Sequence, residues 1–504
     1  MDNHQHHIAL DTFIMHNGDR GYIRYYGEVV GYDGKWYGIE WENSTKRGKH
    51  NGTVKGKKYF ETKNPKGASF IRETEEISIG ENIVTLISQR YSDSAIKYKA
   101  EVDKYDIELK EDQIEAIKTD EKLSNVYAIT LDRYPLAFSK SLDGKSFPAC
   151  KDLVISHTLL TKWLDIFEIL KLFPNLRYLD ISDNLLEKLS DLGNLENIIL
   201  KNPIKTLKAN HCNLDDESIY RLLLLFPGIV ELHLTNNLIK SISIPSNYSS
   251  LEILYLQNND IITFDNLRSL GSLPKLKYLN ISNCNVSKIT VTQSLFSALE
   301  KLVASENRFL HWNDIMDLNK LQNLKQLVLQ VRLPVPKGMD PREVMVVKFP
   351  NIIEIDRLDI SPVYRRNCEY DFMTKISTLN PIPPYFMADI QRLQKIYPDF
   401  ELEIPSKTST AKNAMDKERI KLRFIYGETK FEKIFDATQD FSQIIKIVCR
   451  KLNLPTRGIE VYIRRNQKDY NGFGENEEHI TYLTSNVKSY DFDENSTVVL
   501  KISD

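Results

Sequence analysis

Three stretches of the chain decide its fold: LRYLDISDN at 176–184, IVELHLTNN at 229–237 and LEILYLQNN at 251–259. Each has apolar residues at its first, fourth and sixth positions and asparagine at its ninth. The frame recurs, with weaker copies among these, from Cys150, Ile204, Leu276, Leu299 and Leu324. Successive copies start 26, 28, 25, 22, 25, 23 and 25 residues apart, which indicates a structural repeat rather than chance leucine periodicity in helices.

The role of each position in the frame follows from this spacing. The apolar positions direct a short strand and its turn into a core that neighbouring copies share, and the polar ninth residue can hydrogen-bond the backbone. No single unit can bury its apolar face alone, so stability requires stacking. The sequence therefore predicts an α/β leucine-rich-repeat solenoid of about seven or eight units. One degenerate copy, with Leu123, Val126 and Ala128, is expected before the first clear one.

The third, fifth and seventh positions of each frame are expected to face the concave side of the solenoid. The central row would then contain Asp180, Lys208, His233, Tyr255 and Asn280, preceded by Val154 and followed by Val303 and Val328. This row is chemically mixed, which predicts a protein-docking surface. Because His233 and Asp180 are two repeats apart, roughly 10 Å at the usual inter-strand spacing, an acid–base pair is not expected.

A solenoid needs caps that cover its terminal units. After Leu324 the frame ends in the proline-rich stretch Pro334–Pro336, and the segment Phe349–Asp356 is expected to form a closing strand. A closing helix is expected over Tyr364–Phe372, so the solenoid with its caps is placed at residues 123–373.

The first 79 residues are instead rich in glycine and aromatic residues and lack a leucine period. Strand-like segments such as Tyr22–Tyr26 and Tyr37–Trp41 are separated by glycines, which predicts a small, twisted, all-β barrel. Between Lys46 and Arg72 there are nine lysines or arginines and a single acid, Glu61. Such a surface with interleaved aromatic rings suits an acidic peptide with an aromatic end, and the same composition is typical of nucleic-acid binding.

Four motifs in this segment together resemble the CAP-Gly domain family: KWYGIE at 35–40, GKHNG at 48–52, YF at 59–60 and GASFIR at 67–72. The resemblance implies a groove that binds the acidic, aromatic-ended C-terminal tails of tubulin and related proteins, and no nucleic acid. In that family a GKNDG loop and nearby aromatic residues hold the terminal carboxylate. Here His50 stands where the family has asparagine, and Asn51 where it has aspartate.

Carried over to this chain, the resemblance implies a tail-binding site. Lys49 would pair with the acidic peptide, and Gly48 and Gly52 would let the backbone approach closely. The other members of the site are Trp36, Trp41, His50, Asn51, Phe60 and Phe70. For Phe60, a place in the core of the barrel is an equally good interpretation.

The C-terminal part of the chain carries a third pattern. A helix is expected over Met387–Ile396 and a polar linker over 401–417. Beyond it, apolar residues alternate from Ile420 to Tyr426 as a strand, a second strand follows, and Asp440 can cap a helix. The order β-β-α-β…β resembles an α+β ubiquitin-like β-grasp. Because the chain ends without a Gly-Gly pair, that resemblance implies a docking module that is not conjugated to other proteins.

Bulk properties limit the functional class. The 504 residues carry a formal net charge of -2, so no global field points to nucleic acid or membrane. The five cysteines are far apart and lack metal-binding spacing, which indicates a reducing compartment. The sequence shows no secretory signal and no membrane-spanning run, so we expect a cytoplasmic protein. Association with the cytoskeleton is what the resemblance to the CAP-Gly family implies.

No enzyme motif survives inspection, and no cofactor or metal is expected. The segment Gly144-Lys145-Ser146 imitates the end of a phosphate-binding loop, but Ser139 stands where that loop needs glycine. His4, His6 and His7 are better interpreted as part of a disordered tail than as a metal site.

The predicted domains are a CAP-Gly domain at 1–79, a connector at 80–122, the solenoid at 123–373, a connector and linker at 374–417 and a ubiquitin-like domain at 418–504. This order is similar to that of the tubulin-folding cofactor E family. The resemblance implies binding of α-tubulin, partnership with tubulin-folding cofactors B, C and D, and assembly or disassembly of the α/β-tubulin heterodimer. Alternatives are a microtubule-end scaffold and an adaptor that binds the proteasome through its ubiquitin-like domain.

Overall fold

A computed structural model describes residues 7–92, 125–138, 145–193, 202–292, 294–331, 333–379, 381–398, 419–436, 439–452, 454–455, 459–469, 472–480, 487–490, 492 and 496–502. The chain divides into two compact units, residues 1–308 and residues 309–504. The predicted linker at 401–417, most of the connector at 80–122, and His4, His6, Leu123, Ser139 and Gly144 lie outside the described residues.

The N-terminal module is built on alternation along its strands. Its elements are β1 (Phe13–His16), β2 (Asp19–Val29), β3 (Tyr32–Trp41), the short helix α1 (Ser44–Arg47), β4 (Thr53–Val54), β5 (Lys57–Lys58) and β6 (Ala68–Arg72). Strands β1, β2, β3 and β6 pair in that order in an antiparallel sheet, and β4 pairs with β5. Tyr37, Ile39 and Trp41 of β3 point into a core shared with Ile14, Ile23 and Ile71. The predicted strands at Tyr22–Tyr26 and Tyr37–Trp41 are therefore confirmed as parts of β2 and β3.

The repeat region of the first unit is a parallel sheet of short strands. Within the described residues these are β7 (Ala128–Thr130), β8 (Asp152–Val154), β9 (Tyr178–Asp180), β10 (Thr206–Lys208), β11 (Glu231–His233), β12 (Ile253–Tyr255), β13 (Tyr278–Asn280) and β14 (Lys301–Val303). Each strand pairs with the next without a register shift, so the central leucines form one buried row. The predicted solenoid and its frame are confirmed from Cys150 to Asn307.

The predicted frame of the degenerate first copy was wrong by three residues. Strand β7 places Ile129 opposite Leu153, and Val126, Ile129 and Leu131 are the buried residues. The copy therefore starts at Val126 rather than at Leu123. Ala128 lies at an edge position of its strand and not in the core, because pairing with β8 fixes which side chains turn inward.

The ninth residue of the frame holds successive repeats together. Oδ1 of Asn237 accepts hydrogen bonds from the backbone nitrogens of Cys212 and Leu214, each at 3.0 Å. Its Nδ2 donates to the carbonyl oxygens of Ala209 and Leu234, at 2.9 and 3.0 Å. The same bonding is made by Asn259 and Asn307. Asn184 differs in that its Oδ1 accepts from one backbone nitrogen and from the hydroxyl of Thr158. These bonds satisfy buried backbone groups that would otherwise be costly.

Cysteine replaces asparagine at this position in two repeats. Sγ of Cys212 lies 3.2 Å from the carbonyl oxygen of Ile181, and Sγ of Cys284 lies 3.1 Å from that of Leu256. Burial raises the pKa of Cys212 to about 12 and that of Cys284 to about 11. Both thiols therefore stay protonated and serve as weak donors to a carbonyl oxygen.

Among the described residues of the first unit, three helices cover the flanks of the repeat region: α2 (Ile83–Ser92), α3 (Trp163–Leu170) and α4 (Asp216–Leu225). Turns of 3-10 helix occur at Leu189–Asp191 and Phe264–Ser272. Helix α2 caps the first repeat: its Tyr91 hydroxyl accepts a hydrogen bond from the backbone nitrogen of Thr130 at 2.8 Å. The sequence pattern did not reveal this cap because the helix lies in the expected connector.

The second unit begins with the end of the repeat region. Its elements are 3-10 turns at Trp312–Asp314 and Met316–Lys320, β15 (Gln326–Val328), α5 (Pro341–Lys348), β16 (Glu354–Ile355), β17 (Leu358–Asp359), α6 (Pro362–Ser377), a 3-10 turn at Pro384–Phe386 and α7 (Met387–Ile396). The predicted closing strand and closing helix correspond to β16 and α6. The predicted helix over Met387–Ile396 is α7, with the same bounds.

The remainder of the second unit is a mixed sheet with one helix. Its described elements are β18 (Arg419–Tyr426), β19 (Thr429–Asp436), α8 (Phe441–Lys451), β20 (Ile459–Asp469), β21 (Gly472–Ile480), a 3-10 turn at Val487–Tyr490 and β22 (Thr497–Ile502). The strand order is β19-β18-β22-β20-β21, and β18 is parallel to β22. The Asp440 side chain accepts hydrogen bonds from the backbone nitrogens of Ser442 and Gln443, which confirms the predicted helix cap.

Candidate functional site

The outer face of β3 carries the side chains opposite to the core. Because Tyr37, Ile39 and Trp41 point inward, Trp36, Gly38 and Glu40 face outward. The paired strands bring Tyr25 and Phe70 opposite Gly38. Pairing also sets Arg72 opposite Trp36, with its guanidinium carbon 4.8 Å from the indole ring centre. Aromatic rings thus cover the outer face of the sheet.

On this outer face, four aromatic rings surround Phe70. Its ring centre lies 5.4 Å from that of Tyr59, 5.7 Å from that of Phe60 and 6.0 Å from that of Tyr25. The ring of His50 lies 5.3 Å away on another side. All these contacts except that of His50 are edge-to-face, an arrangement that aromatic rings prefer. Phe70, Tyr59 and Tyr25 remain half-exposed, so the cluster can receive a further apolar or aromatic group.

The loop at 48–52 forms one wall of this cluster and is fixed by backbone bonds. The backbone nitrogens of Lys49 and His50 donate to the carbonyl oxygen of Ala68, at 2.7 and 3.2 Å. A Cβ at Gly48 would lie 1.6 Å from the carbonyl oxygen of Lys66. Gly52 has a φ of +88°, where a Cβ would lie 2.2 Å from the carbonyl oxygen of Phe60. Both glycines are therefore required by the loop itself.

The polar side chains of this loop turn back onto its own backbone. Nδ1 of His50 accepts a hydrogen bond from the backbone nitrogen of Gly52 at 3.1 Å, and Oδ1 of Asn51 accepts one from that of Thr53 at 3.2 Å. Burial, followed by the charge of Lys49, lowers the pKa of His50. The imidazole is therefore neutral near pH 7, with its proton on Nε2.

The charges around the cluster are mostly positive. Lys57 lies over the ring of Tyr59 at 5.2 Å, and Lys55 over that of Tyr32 at 4.7 Å. Lys58 is paired with Glu61, whereas the exposed Lys49, Lys63 and Lys66 have no ion-pair partner among residues 7–92. Free cations beside half-exposed aromatic rings can bind a peptide that ends in acidic and aromatic residues. We call Phe70, the four rings around it and the free lysines Lys49, Lys63 and Lys66 the aromatic groove.

A second candidate surface lies on the concave side of the solenoid. Strand pairing places Val154, Asp180, Lys208, His233, Tyr255, Asn280 and Val303 in one continuous row. The predicted alignment of these residues is thus observed within the first unit, and their role as a docking surface stays a prediction. A parallel row, two residues earlier in each strand, contains Asp152, Tyr178, Thr206, Glu231, Ile253, Tyr278 and Lys301.

The two rows form a connected aromatic ladder in their middle. The His233 ring stacks on Tyr255 with centres 4.1 Å apart, and Tyr255 lies 4.9 Å from Tyr278. On the other side, Lys208 lies over the ring of Tyr178 at 5.2 Å. These contacts hold the rings in place before any partner arrives, which reduces the entropy lost on binding. We call Tyr178, Lys208, His233, Tyr255 and Tyr278 the concave ladder.

The imidazole of His233 in this ladder is held in place by a neighbouring carboxylate. Nε2 of His233 lies 2.7 Å from Oε1 of Glu231, and because a carboxylate can only accept, the imidazole donates. Burial lowers the pKa of His233, against the opposing effect of Glu231. Asp180 is two strands from His233 and its Oδ1 accepts from the backbone nitrogen of Ser182, so the two do not form an acid–base pair.

The family comparison decides what the N-terminal module is, because the model of the CAP-Gly domain matches residues 11–75. Residues 11–75 are a CAP-Gly domain. The match spans β1 to β6 and includes the aromatic groove, so the predicted resemblance is confirmed at the level of the module. The groove around Phe70 therefore lies within the CAP-Gly domain.

The chain is also similar to known proteins over most of its length. Tubulin-specific chaperone E of Xenopus laevis is 28% identical over 374 residues, which cover 71% of this chain and 70% of the relative. Tubulin-specific chaperone E of Drosophila melanogaster is 28% identical over 403 residues, covering 74% and 75%. These similarities extend far beyond the CAP-Gly domain, and they confirm the resemblance to the cofactor E family.

Among solved structures, an internalin from Listeria monocytogenes is similar at 21% sequence identity, over 47% of this chain and 63% of the internalin chain, with a TM-score of 0.35. The assignment of the repeat region therefore rests on its own frame and strand register.

The CAP-Gly domain brings together most of the predicted tail-binding residues, with one correction. Trp41 is 3% exposed in the core, and its Nε1 donates to Oγ of Ser69 at 2.6 Å. It cannot contact a bound peptide, because alternation along β3 places it on the opposite face from Trp36. Phe60 is 9% exposed and lies beneath Phe70, so it supports the groove more than it lines it.

Two groove residues were missed by the sequence pattern, Tyr25 and Tyr59. Tyr25 lies inside a strand of alternating tyrosines, and only the pairing of β2 with Gly38 shows which face it occupies. The Tyr59 hydroxyl accepts a hydrogen bond from the backbone nitrogen of Val30 at 2.8 Å, which anchors the ring at the end of the groove. The neighbouring cation Lys57 was a usable signal for Tyr59.

Neither surface has the composition of a metal or redox site. Within the described residues, no group of three or more histidine, cysteine or acidic side chains could hold a metal ion. The cysteines are all buried and unpaired. No helix in the described part of the chain is long and apolar enough to cross a membrane.

Proposed function

We propose that the aromatic groove of the CAP-Gly domain binds the acidic C-terminal tail of α-tubulin. Lys49, Lys63 and Lys66 supply charges that are not neutralised within residues 7–92, and Phe70 and Tyr59 supply a half-exposed aromatic face. A flexible tail with several carboxylates and an aromatic end matches both features. Because the charges are exposed, this contact is expected to be of modest affinity and sensitive to salt.

The concave ladder is proposed to contact the folded body of the same tubulin molecule. Tyrosine rings held by stacking are typical of surfaces that dominate protein–protein binding energy. Asp152, Asp180 and Glu231 accompany the rings together with Lys208 and Lys301, so this surface carries charges of both signs, in contrast to the cationic groove. Two weak contacts on one chain can together give tight capture, because the second becomes intramolecular.

The chain as a whole is proposed to act as a cytoplasmic, cytoskeleton-associated tubulin-folding cofactor without enzymatic activity. The observation that carries this proposal is similarity to tubulin-specific chaperone E over about 70% of the chain, with a CAP-Gly domain at 11–75. In this role it would take part in assembly, and in disassembly, of the α/β-tubulin heterodimer. Tubulin-folding cofactors B, C and D are the proposed partners.

The C-terminal module is proposed to be a ubiquitin-like β-grasp that docks a partner cofactor or the proteasome. Its strand order, with the first and last strands adjacent and parallel, supports this assignment. So does the helix α8, whose apolar face packs on the sheet through Phe441, Ile444 and Val448.

The deciding experiment is purification of the full chain with soluble α/β-tubulin. A cofactor of the proposed kind forms a complex with α-tubulin or with the dimer, and the composition of that complex shows whether the dimer is held or split. Sedimentation with microtubules and no complex with soluble tubulin would favour a microtubule-end scaffold instead. Capture of proteasomes without tubulin would favour the adaptor function.

A further inference from the structure

A short segment of the chain joins the CAP-Gly domain to the solenoid and is hydrogen-bonded to both. Ser78 and Met15 exchange two backbone hydrogen bonds of 2.9 Å on the CAP-Gly side. Three residues later, the backbone nitrogen of Glu81 donates to the carbonyl oxygen of Pro135 at 2.7 Å, and its oxygen accepts from Ala137 at 2.9 Å. Between them Gly80 has a φ of +115°, and a Cβ there would lie 2.3 Å from that of Ala137. The chain thus passes between the two modules without a flexible tether.

A buried arginine makes a second connection. Nε and Nη2 of Arg20 donate to the two carboxylate oxygens of Glu42, at 2.7 and 2.8 Å. Its Nη1 donates to the carbonyl oxygen of Thr158 in the first clear repeat, at 2.7 Å. The Arg20 side chain is fully buried. Thr158 is itself bonded to Oδ1 of Asn184, through both its nitrogen and its hydroxyl, so the CAP-Gly domain is linked to the asparagine row.

The solenoid edge changes its chemistry where the CAP-Gly domain lies. The eighth position of every repeat in the first unit has a positive φ, which asparagine tolerates well. In the later repeats these residues are Asn236, Asn258, Asn283 and Glu306. In the first four they are Arg133, His157, Asp183 and His211, which together with Asp19, Arg20, Glu42 and Lys46 line a polar cavity of about 420 Å³.

This cavity has consequences for how the two modules are held. It lies between charged and polar side chains instead of an apolar core, so nonspecific apolar packing does not set the orientation there. Directional bonds must set it. The bond from Nη1 of Arg20 to the carbonyl oxygen of Thr158 is one of them, and the two bonds to Glu42 fix the guanidinium plane that makes it.

We propose that Arg20, through Glu42 and Thr158, locks the CAP-Gly domain onto the first repeats so that the aromatic groove and the concave ladder form one preorganised two-part surface. Arg20 is then a positioning residue: it touches no partner, but it fixes the distance between two partner-binding sites. A fixed distance favours a partner whose tail and body match it and disfavours other acidic tails. The lock itself is independent of the proposed function, whereas its benefit for tubulin capture rests on that function.

The lock is tested on the full chain by pulsed dipolar spectroscopy between spin labels at Asp33→Cys and Lys288→Cys, both exposed positions in the first unit. The native cysteines are buried and should not label. One narrow distance distribution is expected for this background, and a broadened or shifted one after Arg20→Met. A broad distribution without the Arg20 change would overturn the proposal, and so would a narrow, unshifted one after it.

Two further variants separate the lock from loss of folding. Arg20→Lys keeps a charge but cannot make all three bonds, so its distribution should also broaden. Arg24→Met is the matched control: Arg24 lies on the same strand and bonds Glu40 and Asp11, with no hydrogen bond or ion pair to a described residue of the solenoid. Its distribution should remain narrow, and broadening equal to that of Arg20→Met would contradict the assignment to Arg20.

The functional consequence is measured separately. Arg20→Met should leave binding of a synthetic acidic, aromatic-ended peptide unchanged and weaken binding of soluble tubulin. Loss of both affinities would mean that Arg20 supports the groove itself and would overturn the positioning role. If neither the wild type nor Arg20→Met binds peptide or tubulin, the proposed function is wrong. The distance distributions still show whether Arg20 holds the CAP-Gly domain on the first repeats.

Discussion

Nδ1 of His50 and the backbone nitrogen of Gly52 are joined by a hydrogen bond of 3.1 Å across the loop of the aromatic groove. The imidazole nitrogen thereby does what an asparagine oxygen could do at this position, namely accept from the loop backbone. Where the GKNDG pattern has asparagine, this chain therefore has another side chain that can accept from the loop backbone.

The first prediction concerns this acceptor. His50→Asn should preserve the loop and leave affinity for an acidic, aromatic-ended peptide within about twofold, because Oδ1 can accept the Gly52 bond. His50→Ala should weaken peptide binding by about tenfold, because it removes both the acceptor and the ring against Phe70. Isothermal titration calorimetry with the peptide measures both. Equal losses for the two variants would contradict the acceptor role.

The second prediction concerns pH. Burial holds the pKa of His50 below its ordinary value of 6.5, so the unfolded chain binds this proton at a higher pH than the folded protein. The free energy of unfolding contributed here is therefore present above pH 6.5 and is lost as the pH falls below it. An NMR titration of the imidazole should give a midpoint below 6.5. His50→Asn should remove this part of the pH dependence, and a midpoint above 6.5 would contradict the structure.

The third prediction concerns the asparagine row. Asn237→Ala leaves buried backbone groups of two repeats without partners, so the free energy of unfolding should fall by about 3 kcal/mol. Asn236→Gly is the control, since the adjacent Asn236 is exposed and its positive φ of 57° suits glycine; a change within about 1 kcal/mol is expected. Urea unfolding followed by circular dichroism compares them. Similar effects of the two changes would count against the bonding described for Asn237.

The fourth prediction concerns the concave ladder. Tyr255→Ala removes the ring between His233 and Tyr278 and should weaken binding of soluble tubulin by at least about tenfold, while the tail peptide binds unchanged. Tyr127→Ala is the control, because Tyr127 is 61% exposed and lies outside both concave rows. Surface plasmon resonance with immobilised chain gives both affinities. Unchanged tubulin binding by Tyr255→Ala would contradict a role for the concave ladder in binding tubulin.

Much of the fold is predictable because the repeat frame combines spacing with burial. The leucines and the ninth-position asparagines each have one physical role, and the asparagine role recurs in the copies that contain Asn184, Asn237, Asn259 and Asn307. The first copy was misplaced because Leu123, Val126 and Ala128 fit the frame as well as Val126, Ile129 and Leu131 do. Only strand pairing with Leu153 distinguishes them. The repeat pattern does not predict the capping helix at Ile83–Ser92, because this helix lies outside the repeats.

The candidate site was less predictable, because a side chain's face depends on strand pairing. Trp36 and Trp41 are equivalent by composition, yet their separation by five residues in one strand sends them to opposite faces. Tyr25 and Tyr59 reach the groove through pairing and a long-range bond to Val30. Arg20 could not be distinguished from Arg24, since only the position of Thr158 gives it a role.

The last prediction concerns Lys49, the exposed cation at the wall of the groove. Lys49→Glu reverses its charge and should weaken tubulin binding by about tenfold at low salt, with a smaller loss at high salt. Lys240→Glu, an exposed lysine of the solenoid, should have little effect.

The central claim, that the groove captures the tail of α-tubulin, is tested most directly by measuring four affinities: wild type and Lys49→Glu, each with intact tubulin and with tubulin whose α-tail is removed. If the groove captures the tail, Lys49→Glu weakens binding to intact tubulin and has no further effect once the tail is gone. Equal losses from Lys49→Glu with and without the tail would contradict it.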